Sequence, residues 1–62
     1  MTAEEVEEVR RLLIKAQETL EEAGRKVCSV TGEHANRTWN RITSHANEIS
    51  DTIFDLWRLV DD

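Results

Sequence analysis

The chain has 62 residues, of which 34% are charged, with no proline, two glycines, one cysteine and a net charge of -5. This length allows one small domain at most, and a single cysteine excludes an internal disulfide framework. The acidic balance works against non-specific binding to nucleic acid or to an anionic membrane surface. No apolar run approaches the roughly 20 residues of a membrane span. The acidic stretch Met1 to Glu8 lacks the apolar core of a signal peptide, so a cytoplasmic setting is the default expectation.

In chain order, Thr2 reads as a helix N-cap and Glu5, three residues on, completes a capping box. Glu4 suits the positive end of the helix dipole. An apolar seam follows at Val6, Val9, Leu13, Ala16, Leu20, Ala23, Val27 and Val30, in alternating steps of three and four. This is the heptad signature of an amphipathic helix. Glu7 with Arg11, Glu21 with Arg25 and Glu22 with Lys26 are expected as i,i+4 pairs. Gly24 is a candidate break, but the seam keeps its phase across it, so the helix is expected to run on through it.

Ser29-Val30-Thr31-Gly32 reads as the turn, with Thr31 capping the next helix. The second seam runs Ala35, Trp39, Ile42, Ala46, Ile49, Ile53, Leu56 and Val60. The acidic end, Asp61 and Asp62, lies at the unfavourable pole of the dipole and predicts fraying. The fold expected is all-α: a helical hairpin over about 2–29 and 32–60, forming a single domain over 1–62. Folding it at Thr31 sets Leu20 against Ala46, Ala16 against Ile49, Ala23 against Ile42, Leu13 near Ile53 and Val27 near Trp39. Two helices leave each seam open on one side, so a second hairpin completing an antiparallel four-helix bundle is expected. The alternative is a three-helix bundle with breaks near Gly24 and near Thr43-Ser44.

The two halves differ in style. The first is regular and rich in Glu, Lys, Arg and Leu. The second has no formal charge between Arg41 and Glu48, with His45 neutral, and carries Asn36, Thr38, Asn40, Thr43, Ser44, Asn47, Ser50 and Thr52. These residues compete for backbone hydrogen bonds and are mediocre helix formers. They make a contact face for a partner, against the plainer readings of an ordinary dimer interface or drift. Phe54 and Trp57 lie off the seam and three apart, hence in one patch. Ile14 points outward and Leu12 flanks the first seam. The candidate partner-binding residues are Trp39, Asn40, Asn47, Phe54, Trp57 and Arg58.

Other chemistry is thin. His34 and His45 are too far apart along a helix to share a metal within one chain. A zinc or thiol site using Cys28, His34 and His45 across a dimer is the alternative functional reading, but the spacing fits no zinc signature. No third group orients a Cys28–His34 pair for catalysis, so no enzyme activity and no cofactor are expected. Asn36-Arg37-Thr38 matches a glycosylation sequon inside a predicted helix and reads as accidental. Three arginines, Arg37, Arg41 and Arg58, make a poor nucleic-acid surface on an acidic chain.

Length, mid-chain turn and the stretch Ser44-His45-Ala46-Asn47-Glu48-Ile49 resemble the Rop family of plasmid RNA-binding hairpins. The resemblance implies an antiparallel dimer of hairpins. Its RNA binding uses basic and aromatic residues of the first helix, which here is acidic and has no aromatic, so that function does not carry over. Asp51-Thr52-Ile53-Phe54-Asp55-Leu56-Trp57-Arg58-Leu59-Val60 is similar to the tumour-suppressor transactivation helix that docks into a ubiquitin-ligase groove. That resemblance implies Ile53, Trp57 and Val60 as i, i+4, i+7 anchors. Ile53 stands where the family has phenylalanine, and Ile53 and Val60 also belong to the seam. The favoured function is a protein–protein interaction module in the style of a designed helical scaffold, with a protein partner or a second copy and neither nucleic acid nor membrane.

Overall fold

The computed structural model describes residues 1–61, with side chains described through Val60. The elements are α1 (Ala3–Cys28), α2 (Glu33–Asp55) and a single turn, α3 (Arg58–Asp61). α1 and α2 pack as a hairpin whose Cα atoms span 46 × 15 × 10 Å. α1 runs unbroken through Gly24, and α2 runs through Thr43 and Ser44. The three-helix alternative is therefore set aside.

The start of α1 is as its sequence predicts. The Glu5 backbone N–H donates to Thr2 Oγ1 at 3.1 Å, and the Thr2 N–H donates back to Glu5 Oε1 at 2.9 Å. Val6 then closes the first helical bond onto the Thr2 carbonyl. Two orphan N–H groups of the helix end are thereby satisfied.

The turn differs in one detail. Gly32, not Thr31, caps α2, with φ of 126° and no side-chain hydrogen bond to the helix end. Its carbonyl accepts the first helical bond, from the Asn36 N–H at 3.1 Å. A left-handed backbone here needs no Cβ, so glycine takes the position that Thr31 would fill only with strain.

The end of α2 differs more. Leu56 and Trp57 interrupt the expected long helix. The Leu56 N–H bonds to the Ile53 carbonyl, Leu59 to Leu56 and Val60 to Trp57, all i to i−3 bonds that tighten the chain. No basic residue stands in the last turn of α2 to offset Asp55 at its negative pole. The interruption leaves Leu56 6% exposed, while the terminal ammonium of Met1 donates to the Leu59 carbonyl at 3.3 Å. The expected fraying at Asp61 and Asp62 concerns side chains outside the described ones.

The largest correction is the rotation of α1. Its buried positions are Val6 and Gly24, and Gln17 is half-buried, whereas Ala16 and Ala23 are exposed. Gln17 Nε2 donates to Ser50 Oγ and, at 3.4 Å, to the Ala46 carbonyl. A Cβ placed on Gly24 would meet Ile42 Cγ2 at 3.5 Å. So Gly24 meets Ile42 where Ala23 was expected, and Gln17 occupies the layer expected of Ala16. At about 100° per residue, the side of α1 facing α2 is displaced by about 60° from the centre of its apolar seam. Val9, Leu13, Leu20 and Val27, with Ile42, Ile49 and Ile53, are only half-buried. Ile14 is also half-buried rather than outward, because the same rotation brings it toward the edge of the hairpin.

The ion pairs are redistributed too. Among the described residues the pairs formed are Glu7–Arg10 at 3.6 Å, Glu33–Arg37 at 2.9 Å and Asp55–Arg58 at 3.8 Å. The expected Glu7–Arg11, Glu21–Arg25 and Glu22–Lys26 pairs are not. Exposed pairs are worth only tenths of a kcal/mol, so the exchange costs the fold about nothing.

Three outcomes follow for denaturation experiments. Gly24→Ala adds a methyl at ordinary van der Waals distance and removes backbone entropy from the unfolded chain, so it raises stability by about 0.5–1 kcal/mol. Gly32→Ala forces a side chain into the left-handed region and lowers stability by about 1 kcal/mol or more. Urea melts showing the same sign for both would contradict the two backbone assignments. At Glu5, the hydrogen bonds from the Thr2 backbone and side chain hold the carboxyl below its ordinary 4.5. A lowered carboxylate pKa contributes stability that is full above the unfolded value and is lost as pH falls through the folded one. Glu5→Gln therefore removes part of the acid-induced loss of stability below about pH 4.5, measured as a flatter melting temperature against pH.

Candidate protein-interaction surface

Two surfaces stand out once the hairpin is formed. The first is the outer strip of α2. Asn40, Asn47 and Phe54 share a flank of this helix within about 40° of arc, and Trp39, one heptad before the buried Ala46, stands about 60° from Phe54 on the side nearer α1. Phe54 is 86% exposed and Trp39 is 40% exposed. The helix does not carry the strip to its end. Trp57, 50% exposed, lies in the interruption, and Arg58 begins α3. Among the described residues Arg58 pairs with Asp55 at 3.8 Å, with both side chains largely in water.

Small polar residues on α2 behave as their chemistry dictates. Thr38 Oγ1 donates to the His34 carbonyl at 2.9 Å, and Thr52 Oγ1 donates to that of Glu48 at 3.0 Å. These hydroxyls turn back onto their own helix and leave no free donor outward. The amides of Asn40 and Asn47 have no such local bond and are exposed. Asn47 borders a cleft between the helices with Gln17, Glu21, Gly24 and Thr43, floored by Ile42 and Ala46. Gly24 adds no side chain to this cleft.

Sequence reasoning passed over Gln17. The signal was present: Gln17 and Gly24 are seven residues apart, on one side of α1 and one step off the apolar seam. A helical glycine marks close approach of another backbone, and a glutamine in phase with it marks the facing side.

The second surface is the open flank of the seam. Leu12 is 63% exposed, and Ala16 and Ala23 are exposed beside the half-buried Leu13, Leu20, Ile42 and Ile49. Scattered exposed apolar residues are normal, but a continuous stripe along two helices is not.

Cys28, His34 and His45 are all exposed. Among the described residues, no group of three His, Cys, Asp or Glu side chains is placed to hold a metal ion. Among the described residues no helix is long and apolar enough to cross a membrane. No family model matches the chain, and no curated protein or solved structure is significantly similar to it.

Proposed function

We propose that the chain is a protein–protein interaction module: a helical hairpin that enters an antiparallel four-helix bundle and offers the outer strip of α2 to a protein partner. The observation that carries this reading is the apolar surface the hairpin leaves in water, above all Phe54 at 86% exposure with Trp57 at 50%. Rings this exposed contribute little to the fold of one chain. Aromatic side chains give the largest contact energies when a partner covers them. The uncharged stretch between Arg41 and Glu48 adds to this, because neutral side chains desolvate at less cost than charged ones.

The contrast between the helices supports the same reading. α1 is a regular, capped, strongly helix-forming support. α2 accepts poorer helix formers along the side that carries Asn40 and Asn47. This division, a generic scaffold with a specialised face, is the style of a designed binding scaffold. In this reading Trp39, Asn40, Asn47, Phe54, Trp57 and Arg58 meet the partner, with Trp39 shared between partner and hairpin edge.

Phe54→Ala is expected to keep the melting stability within about 0.5 kcal/mol of the parent, as for surface substitutions. Phe54→Ala and Trp57→Ala are each expected to weaken association by tenfold or more, or about 1.4 kcal/mol. Titration followed by tryptophan emission reads this directly. The reading fails if both variants associate with themselves and with every tested protein as tightly as the parent does.

A further inference from the structure

We propose that the open aliphatic groove between α1 and α2 is occupied by a second copy of this chain, docked with the two turns at opposite ends of the assembly. This rests on the interaction reading above and names the partner for one of its two surfaces. The floor of the groove is the half-buried Leu13, Leu20 and Ile49, and its α1 edge is the exposed Ala16 and Ala23. Gln17 and Ser50 bond across the other edge of the hairpin, so they leave this side free.

Folded monomers of 7.2 kDa expose about 4,100 Å² by the usual scaling of surface with mass. This chain exposes 5034 Å². The excess of about 900 Å² is close to the roughly 800 Å² that each partner buries in a stable interface.

In a four-helix bundle each helix aims its seam at the bundle centre, about 45° away from the line to either neighbour. The seam of α1 lies about 60° from the line to α2, toward the groove. A helix with one neighbour would aim its seam at that neighbour. α1 is therefore patterned for a second one on the groove side.

Charge sets the orientation. Gln17 bonds with Ala46 and Ser50, so residues 1–16 and 48–60 form the half of the hairpin away from the turn. That half carries seven carboxylates and four basic side chains, with Asp61 and Asp62 following in sequence. The turn half, residues 17–47, carries four of each. Docking with both turns at one end sets the acidic halves against each other. Docking with turns at opposite ends sets each acidic half against a neutral one. Along α2, Arg41 lies in the turn half and Glu48 in the other half. The reversed arrangement brings the Arg41 half of one copy toward the Glu48 half of the other.

The native Cys28, exposed at the turn end, is the probe. Spin labels on Cys28 of the otherwise unmodified chain are expected to lie roughly 30–40 Å apart, from the length of α1 at about 1.5 Å per residue. Turns at one end would place them within about 20 Å and overturn the orientation. Ala16→Glu puts a charge on a position already exposed in the hairpin, and is expected to weaken dimerisation in sedimentation by a hundredfold or more. Ala16→Ser, of similar size, is expected to retain the dimer, which separates loss of the interface from loss of the fold. A chain that stays monomeric with its helices intact overturns the second copy as occupant and leaves the α2 strip free for a foreign partner. A dimer indifferent to Ala16→Glu but lost in Phe54→Ala overturns the groove and favours the strip instead.

Discussion

Two contacts set the rotation of α1 and, through it, the rest of the hairpin: the Gln17 amide on Ser50 and Ala46, and the approach of Ile42 to the bare backbone of Gly24. The first gives the half-buried Gln17 amide its partners on α2. The second lets the helices close without a side chain between them. Together they turn the line from α1 to α2 away from the centre of the apolar seam. Val6, Ala46 and Leu56 become the buried apolar residues. Leu13, Leu20, Ile42 and Ile49 are covered on one flank only.

The architecture was legible where local chemistry determines it. Thr2 and Glu5 announce a capping box, and the unbroken phase across Gly24 announces a continuous helix. Both appear in the structure. The rotation was less legible for a physical reason. A heptad seam records the sum of every contact that a helix face makes, within the chain and beyond it. Ala16 and Gln17 are adjacent and both border the seam, so periodicity alone does not say which one faces α2. That choice is made by a side-chain hydrogen bond and by a missing Cβ, neither of which carries a periodic signal. The same limit applies at Leu56 and Trp57. The seam continues through them, and the chain turns there because short-range i to i−3 bonds and an uncompensated helix end prevail over pattern.

The candidate site divides along the same line. Helical spacing puts Asn40, Asn47 and Phe54 on one flank of α2, whereas Trp39 stands nearer the side of the buried Ala46. That Trp57 and Arg58 lie beyond a break was hidden by the pattern. The two surfaces that result differ in chemistry. The groove is aliphatic, built from large side chains beside alanine, and suits close helix packing. The α2 strip is aromatic and amide-bearing, and suits an adaptable contact with a differently shaped partner. In the proposed reading a single hairpin separates a surface for assembly from a surface for recognition, with Gln17 bonded to Ser50 between them.

The most direct test of this account is the solution mass of the unmodified chain by light scattering, from low to high micromolar concentration. The account predicts twice the 7.2 kDa of one chain, held across most of that range, because the open groove is a surface that a second hairpin covers. A folded species that stays at the mass of one chain throughout would contradict it, and would mean that two helices suffice for this fold.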